Sequence, residues 1–163
     1  LHRVDRRQRQ MCIRDRLQRA LAESGVMLSF FNDVDMSVQE PWLAAVQYLG
    51  ARGFFGSYDA RAGEPLTAEV AVVWGHAAGR LLAGQPDHNE AARRARRAES
   101  ERGGRPVTAG EFAETLTLAV RYWGLPGSDP RGLPSSLGLD RASTISRGDA
   151  ARMVFELLRS AGR

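Results

Sequence analysis

The chain has 163 residues, of which 43% are hydrophobic and 26% charged, with a net charge of +4. That is the make-up of one globular domain, long enough to bury roughly two-thirds of its unfolded surface. A single cysteine and no short period exclude disulfide scaffolds, collagen and mucin, and apolar runs such as Val70–Trp74 fall far short of the about 20 residues of a membrane span.

The basic charge is concentrated at one end. All 23 basic residues are Arg, and Arg3, Arg6, Arg7, Arg9, Arg14 and Arg16 face only Asp5 and Asp15 in the first 16 positions. Beyond them Arg and acidic residues balance at 17 each, which leaves little phosphate-binding footprint, so no nucleic-acid partner is expected and a basic nucleic-acid binder survives only if residues 1–16 are real. The stretch RQMCIRDR, from Arg9 to Arg16, resembles translated sequencing-adapter DNA. Residues 1–16 are therefore expected to be an artefactual or disordered leader and residues 17–163 one helical domain. A basic arm and the tail of an upstream helix are the alternatives. Cys12 lies inside this segment, so the rest of the chain offers no thiol ligand.

Leu17, Ala20 and Leu21 share a helical face that ends at Gly25, and the polar-apolar segment FFNDVD follows at 30–35. Pro41 opens a helix with Trp42, Ala45, Val46 and Leu49 at i, i+3, i+4, i+7 spacing. Gly50 and Gly53 end it, and residues 53–65 read as a turn-rich loop. Thr67 opens the next helix, with Val70, Val73, Trp74, Ala77 and Leu81 as its apolar stripe. Residues 85–105 contain NEAARRARRAESERGG, without a large apolar side chain, and are expected to be a polar excursion that buries no face. Phe112, Leu116, Ala119 and Trp123 stripe a further helix, stopped by Gly124 and Pro126. After a loop at 127–143, the last helix spans about 147–158, with Ala150, Met153, Val154 and Leu157 inward. The expectation is an all-α domain of about five helices with long loops.

Three helix starts carry similar words: PLTAEVA, PVTAGEFA and TISRGDAA. Thr108 and Glu111 fit a capping box, in which the N-cap hydroxyl and the N3 carboxylate each satisfy the other's backbone N–H. Ser146 with Asp149 offers a shorter version, and Thr67 marks the start of the first copy, where Glu69 favours the helix dipole. Spaced near 40 residues, the three copies indicate internal repetition.

The first unit, read whole, runs F-x-D-V (Phe31, Asp33, Val34), Trp42, A-V-x-Y-L, G-S-Y-D-A and P-L-T-A-E. It resembles the S-layer homology (SLH) repeat, and the second and third units match through their second halves, 107–116 and 145–158. The resemblance implies helix-loop-helix repeats in a pseudo-trimer, holding a surface protein on cell-wall polysaccharide at the bacterial envelope or after secretion. It marks Trp42, Tyr58, Asp59 and Arg147 as ligand-binding candidates, Arg147 being the anion donor beside an aromatic platform. The family's corresponding Arg is absent from the first copy and is Ala109 in the second. A second resemblance covers V-Q-Y-L-G-A-R-G-F-F, Y-D-A-R and E-P-L-T. It points to the C-terminal region of secreted FAD-dependent oxidoreductases, which carry their flavin domain upstream. It implies an upstream enzyme domain as partner and FAD in a parent chain, with no cofactor in this segment.

Other candidate chemistry has bland readings. Gly50, Gly53 and Gly56 follow a helix rather than a strand, so they read as a C-cap and turns. His2, His76 and His88 lack metal-ligand spacing, and Asp33 and Asp35 lack the further acids of a calcium loop. Trp74 and Trp123 read as core, Tyr58, Asp59 and Arg61 as turn-builders where no ligand is bound. No catalytic residue and no metal site is expected.

Overall fold

The computed structural model describes residues 40–57, 59–100, 104–125 and 129–162. They form six α-helices: α1 (Leu43–Gly50), α2 (Ala68–Leu82), α3 (His88–Ser100), α4 (Ala109–Tyr122), α5 (Leu133–Ser136) and α6 (Arg147–Ser160). The fold is all-α. The helix expected near 17–25 and the candidates Asp33 and Asp35 lie outside the described residues.

The architecture rests on the three repeated helix starts. The Leu66 N–H donates to the Ile145 carbonyl, Ile145 N–H to Val107, and Val107 N–H back to Leu66, each at 3.0 Å. This is a closed ring with approximate threefold symmetry. A second ring surrounds it: Ala68 donates to Arg105, Ala109 to Ser143 and Arg147 to Glu64, at 2.8 to 3.1 Å. The first residue of each of α2, α4 and α6 thus gives an otherwise orphaned N–H to the chain entering a neighbour. Leu66, Val107 and Ile145 are all buried where the rings meet, so the polar closure is sealed by apolar side chains.

The core spreads outward from this hub. Trp74, Phe54, Phe112, Leu49, Leu116, Met153 and Leu158 are fully buried. Thr115 packs over Gly75, and Ala119 and Trp123 pack over Gly79, so α2 and α4 run parallel at close range. Tyr48 meets the Phe155 ring edge-on at 5.0 Å and joins α1 to α6.

The three predicted caps differ. At α4 the capping box is complete: Thr108 N–H reaches a Glu111 carboxylate oxygen at 2.8 Å, and Glu111 N–H reaches Thr108 Oγ1 at 3.2 Å. At α6, Asp149 N–H donates to Ser146 Oγ at 3.1 Å. Thr67 takes the N-cap position of α2 with extended backbone, but its side chain makes no capping hydrogen bond. The N3 residue there is Val70, which has no carboxylate to return the contact.

The expectation that 85–105 buries no face is corrected. Residues 88–100 form α3, and Ala95 and Ala98 are buried with Ala91 half-buried beside them. Alanines at i, i+4 and i+7 make a thin apolar stripe, which small partners can meet at backbone distance. The loop after α1 supplies such partners: a Cβ on Gly53 would collide with the His88 carbonyl, and one on Gly56 with the Arg96 backbone. The two glycines are the seats of α3 as well as turn residues.

Candidate functional site

The predicted ligand residues that the structure describes gather where α6 starts. The Trp42 ring lies across Gly148, whose added Cβ would stand 2.7 Å from the ring. Asp59 is exposed on the loop, its carboxylate accepting the Arg61 N–H at 3.2 Å. The neighbouring Ala60 carbonyl accepts from Arg147 Nε at 2.7 Å. Tyr58 lies outside the described residues.

Arg147, the expected anion donor, is turned inward. Its side chain is 3% exposed, with the guanidinium 5.5 Å from the Trp74 ring centroid and 5.6 Å from that of Phe55. The aromatic neighbours and the Ala60 carbonyl favour the cation there, and a carboxylate completes it. Glu99, in the last turn of α3, places one carboxylate oxygen 2.6 Å from Arg147 Nη2. Its other oxygen accepts the Gly56 N–H at 3.2 Å and stands 3.3 Å from Arg61 Nη2. Arg96 Nε donates to the Gly56 carbonyl at 3.1 Å. Two guanidiniums and a backbone amide, none of them on α3, thus converge on one carboxylate that α3 supplies. Charge-assisted contacts in such dry surroundings are far stronger than the same pair at the surface.

Sequence reading picked out Arg147 and missed Glu99, because Glu90, Glu99 and Glu101 interspersed with the arginines of an Arg-rich segment read together as dilution of a surface charge. The available signal was the Gly53-x-x-Gly56 spacing, which marks a close backbone approach, together with the Ala91, Ala95, Ala98 stripe. Neither names its partner across roughly 40 residues of chain.

A second cleft lies between α2 and α3, lined by Arg52, His76, Arg80, His88, Glu90 and Arg94 among others. Its charges are largely matched on the spot. Arg94 Nε is 2.7 Å from a Glu90 carboxylate oxygen, Arg80 Nε donates to the Gln85 carbonyl at 3.0 Å, and the Arg52 guanidinium stacks 3.4 Å over the Tyr48 ring. His76 is held below its ordinary 6.5, first by burial and then by Arg94 and Arg80, with Glu90 opposing. It stands 5.6 Å from Trp123 at the edge of the core.

Among the described residues, no group of three or more His, Cys, Asp or Glu side chains is placed to hold a metal ion, and no helix is long and apolar enough to cross a membrane. Scans against protein-family models, curated proteins and solved structures find no match to this chain.

Proposed function

We propose that the chain is a non-catalytic, SLH-like module of a larger bacterial protein, serving cell-envelope anchoring or packing against an upstream enzyme domain. The observation that supports it is the closed ring joining Leu66, Val107 and Ile145. Three helix starts with related sequences are tied head to head about one axis, which is what three repeats need in order to share a core. The neutral balance of charge beyond residue 16 fits a partner other than nucleic acid.

Between the two roles, the engagement of Arg147 by Glu99 and Ala60 favours packing, since an anchor that grips acidic sugar needs an accessible cation. Co-sedimentation of the full chain with purified bacterial cell walls separates them. Pelleting of the folded chain with the walls assigns the anchoring role. A folded chain left in the supernatant assigns the packing role. Stoichiometric retention of FAD by the chain alone would overturn the reading and make it part of the flavin-binding body of an oxidoreductase.

A further inference from the structure

We propose that the cleft between α2 and α3 is a binding site for a tetrahedral oxyanion of the phosphate or sulfate class. It lies away from the hub: Arg80 is twelve positions along α2 from Ala68, about 18 Å by the helical rise. Three elements each bring it a guanidinium, Arg52 from the loop after α1, Arg80 from α2 and Arg94 from α3. Arg52 gives Nη1 to the Tyr48 carbonyl at 3.0 Å, Arg80 gives Nε to the Gln85 carbonyl at 3.0 Å, and Arg94 gives Nε to Glu90 at 2.7 Å. A guanidinium has five N–H donors, so each keeps others for a ligand. A carbonyl satisfies a donor without neutralising its charge. The carboxylates in the cleft are Glu90, which Arg93 also holds at 2.6 Å, and Asp87, 3.9 Å from Arg80. Cationic charge therefore exceeds anionic, and the half-buried Val73, Leu81 and Ala91 thin the water that would screen the excess. A planar carboxylate is held by a single fork, whereas donors arriving from three elements suit oxygens spread in three dimensions.

His76 senses the site. It shares the cleft with Arg80 on its own helix, with His88, Glu90 and Arg94 from α3, with Asp87 just before α3, and with Arg52. From α4 the Trp123 ring stands 5.6 Å away. Burial holds the imidazole below its ordinary 6.5, and Arg94 and Arg80 push it down further than Glu90 restores. The field at this wall of the cleft is thus net positive, in agreement with the excess of guanidiniums. An anion bound there offsets Arg94 and Arg80 and raises the His76 value. By linkage, protonating His76 tightens the anion by the same factor.

Proton NMR of the imidazoles on the full chain tests this, with sodium sulfate as probe and sodium chloride holding ionic strength. Sulfate does not titrate near neutrality, so a pH dependence of its binding belongs to the protein. The expected result is a saturable shift of the His76 Cε1 proton and a His76 titration midpoint raised by sulfate. Sulfate is expected to bind about fivefold more tightly at pH 5.5 than at pH 7.5. Arg80→Gln and Arg94→Gln are each expected to weaken it about tenfold. Arg159→Gln, which removes the same charge from a pair with Glu156 outside the cleft, is expected to leave binding unchanged. No saturable shift at His76 would overturn the proposal, as would equal losses in Arg159→Gln and the cleft variants. His76→Gln should match the parent at pH 7.5 and lose the gain at pH 5.5, and a gain retained in that variant would overturn the coupling. If an arginine variant does not fold, titration of the parent chain decides. Methyl phosphate set against inorganic phosphate at pH 7.5 identifies the source of the anion. Ester binding at least as tight as that of inorganic phosphate assigns a phosphomonoester group and weaker ester binding the free ion, each supporting the site, whereas a His76 signal moved by neither would overturn it.

Discussion

Arg147 and Glu99 lie 48 positions apart and meet at 2.6 Å with side chains 3% and 7% exposed. The contact fastens α3, the most polar of the described helices, to the start of α6, a helix it would not otherwise need to approach. A buried pair of this kind adds little over a well-packed apolar pair of similar volume, because desolvation offsets much of the attraction. Removing one partner is different, since the other is then buried and uncompensated.

Arg147→Met is accordingly expected to destabilise the chain by about 3–5 kcal/mol. Arg147→Met combined with Glu99→Leu should recover most of that loss. Urea unfolding of the two single variants and the double variant yields the coupling directly. Additive losses would mean the two groups do not act as a pair.

The approximate threefold symmetry of the hub makes a prediction about proline. Pro65 and Pro106 precede Leu66 and Val107, and Thr144 holds the matching place before Ile145. Thr144→Pro is expected to be tolerated and to stabilise by about 0.4–1 kcal/mol, through a less flexible unfolded chain. Ile145→Pro removes the N–H that closes the ring on Val107 and is expected to cost about 3 kcal/mol or more. Thermal melts compare the two, and equal effects would contradict the symmetry.

Glycine positions separate seat from spacer. Gly56→Ala drives a methyl into the Arg96 backbone, whereas a Cβ on Gly132 meets nothing within 4 Å. The first change is expected to cost about 1–3 kcal/mol by overpacking and to release α3 to proteolysis. The second should be near neutral. Limited trypsin digestion suits the comparison, because α3 carries Arg93, Arg94, Arg96 and Arg97.

The caps should divide as their geometry does. Thr108→Ala breaks a reciprocal pair and is expected to cost about 1 kcal/mol. Thr67→Ala removes no capping hydrogen bond, so its cost should be no more than a few tenths of a kcal/mol on the same scale. Chemical denaturation with unchanged slope would show that each variant unfolds from the same native state.

His76 sets the pH dependence nearest neutrality. Its folded value lies below 6.5, so the unfolded chain takes up the proton first as pH falls. Stability is then full above the unfolded value, and declines as pH drops through 6.5 toward the folded value. His76→Gln is expected to flatten that part of the profile between pH 7 and 5. The acids Glu90, Glu111, Asp129 and Asp140 are all held low, so the stability they bring is lost only further into acid. A variant profile that superimposes on the parent would remove His76 from the account.

Local pattern determined the long helices, because each needs only a start signal and a stripe. Pro41, Thr67, Thr108 and Ser146 mark starts within a residue or two of those observed, and Trp74, Phe112, Leu116, Met153 and Val154 are buried as their spacing requires. The repetition of the three starts was legible for the same reason: a cap and the apolar residue before it sit within a few positions. Tertiary structure alone decided what those starts do. That Leu66, Val107 and Ile145 close a ring depends on strand-like segments about 40 residues apart meeting in register, and no local preference encodes that meeting. The same holds for α3 and the site. An alanine stripe is too weak to declare itself in sequence, and it is buried because two glycines elsewhere leave room for it. Arg147 read as an anion donor because its helix start resembled a binding motif. Its direction was fixed by the Glu99 carboxylate on a helix that composition alone left in solvent, since electrostatic partners are chosen by proximity in space, and sequence separation carries no record of it.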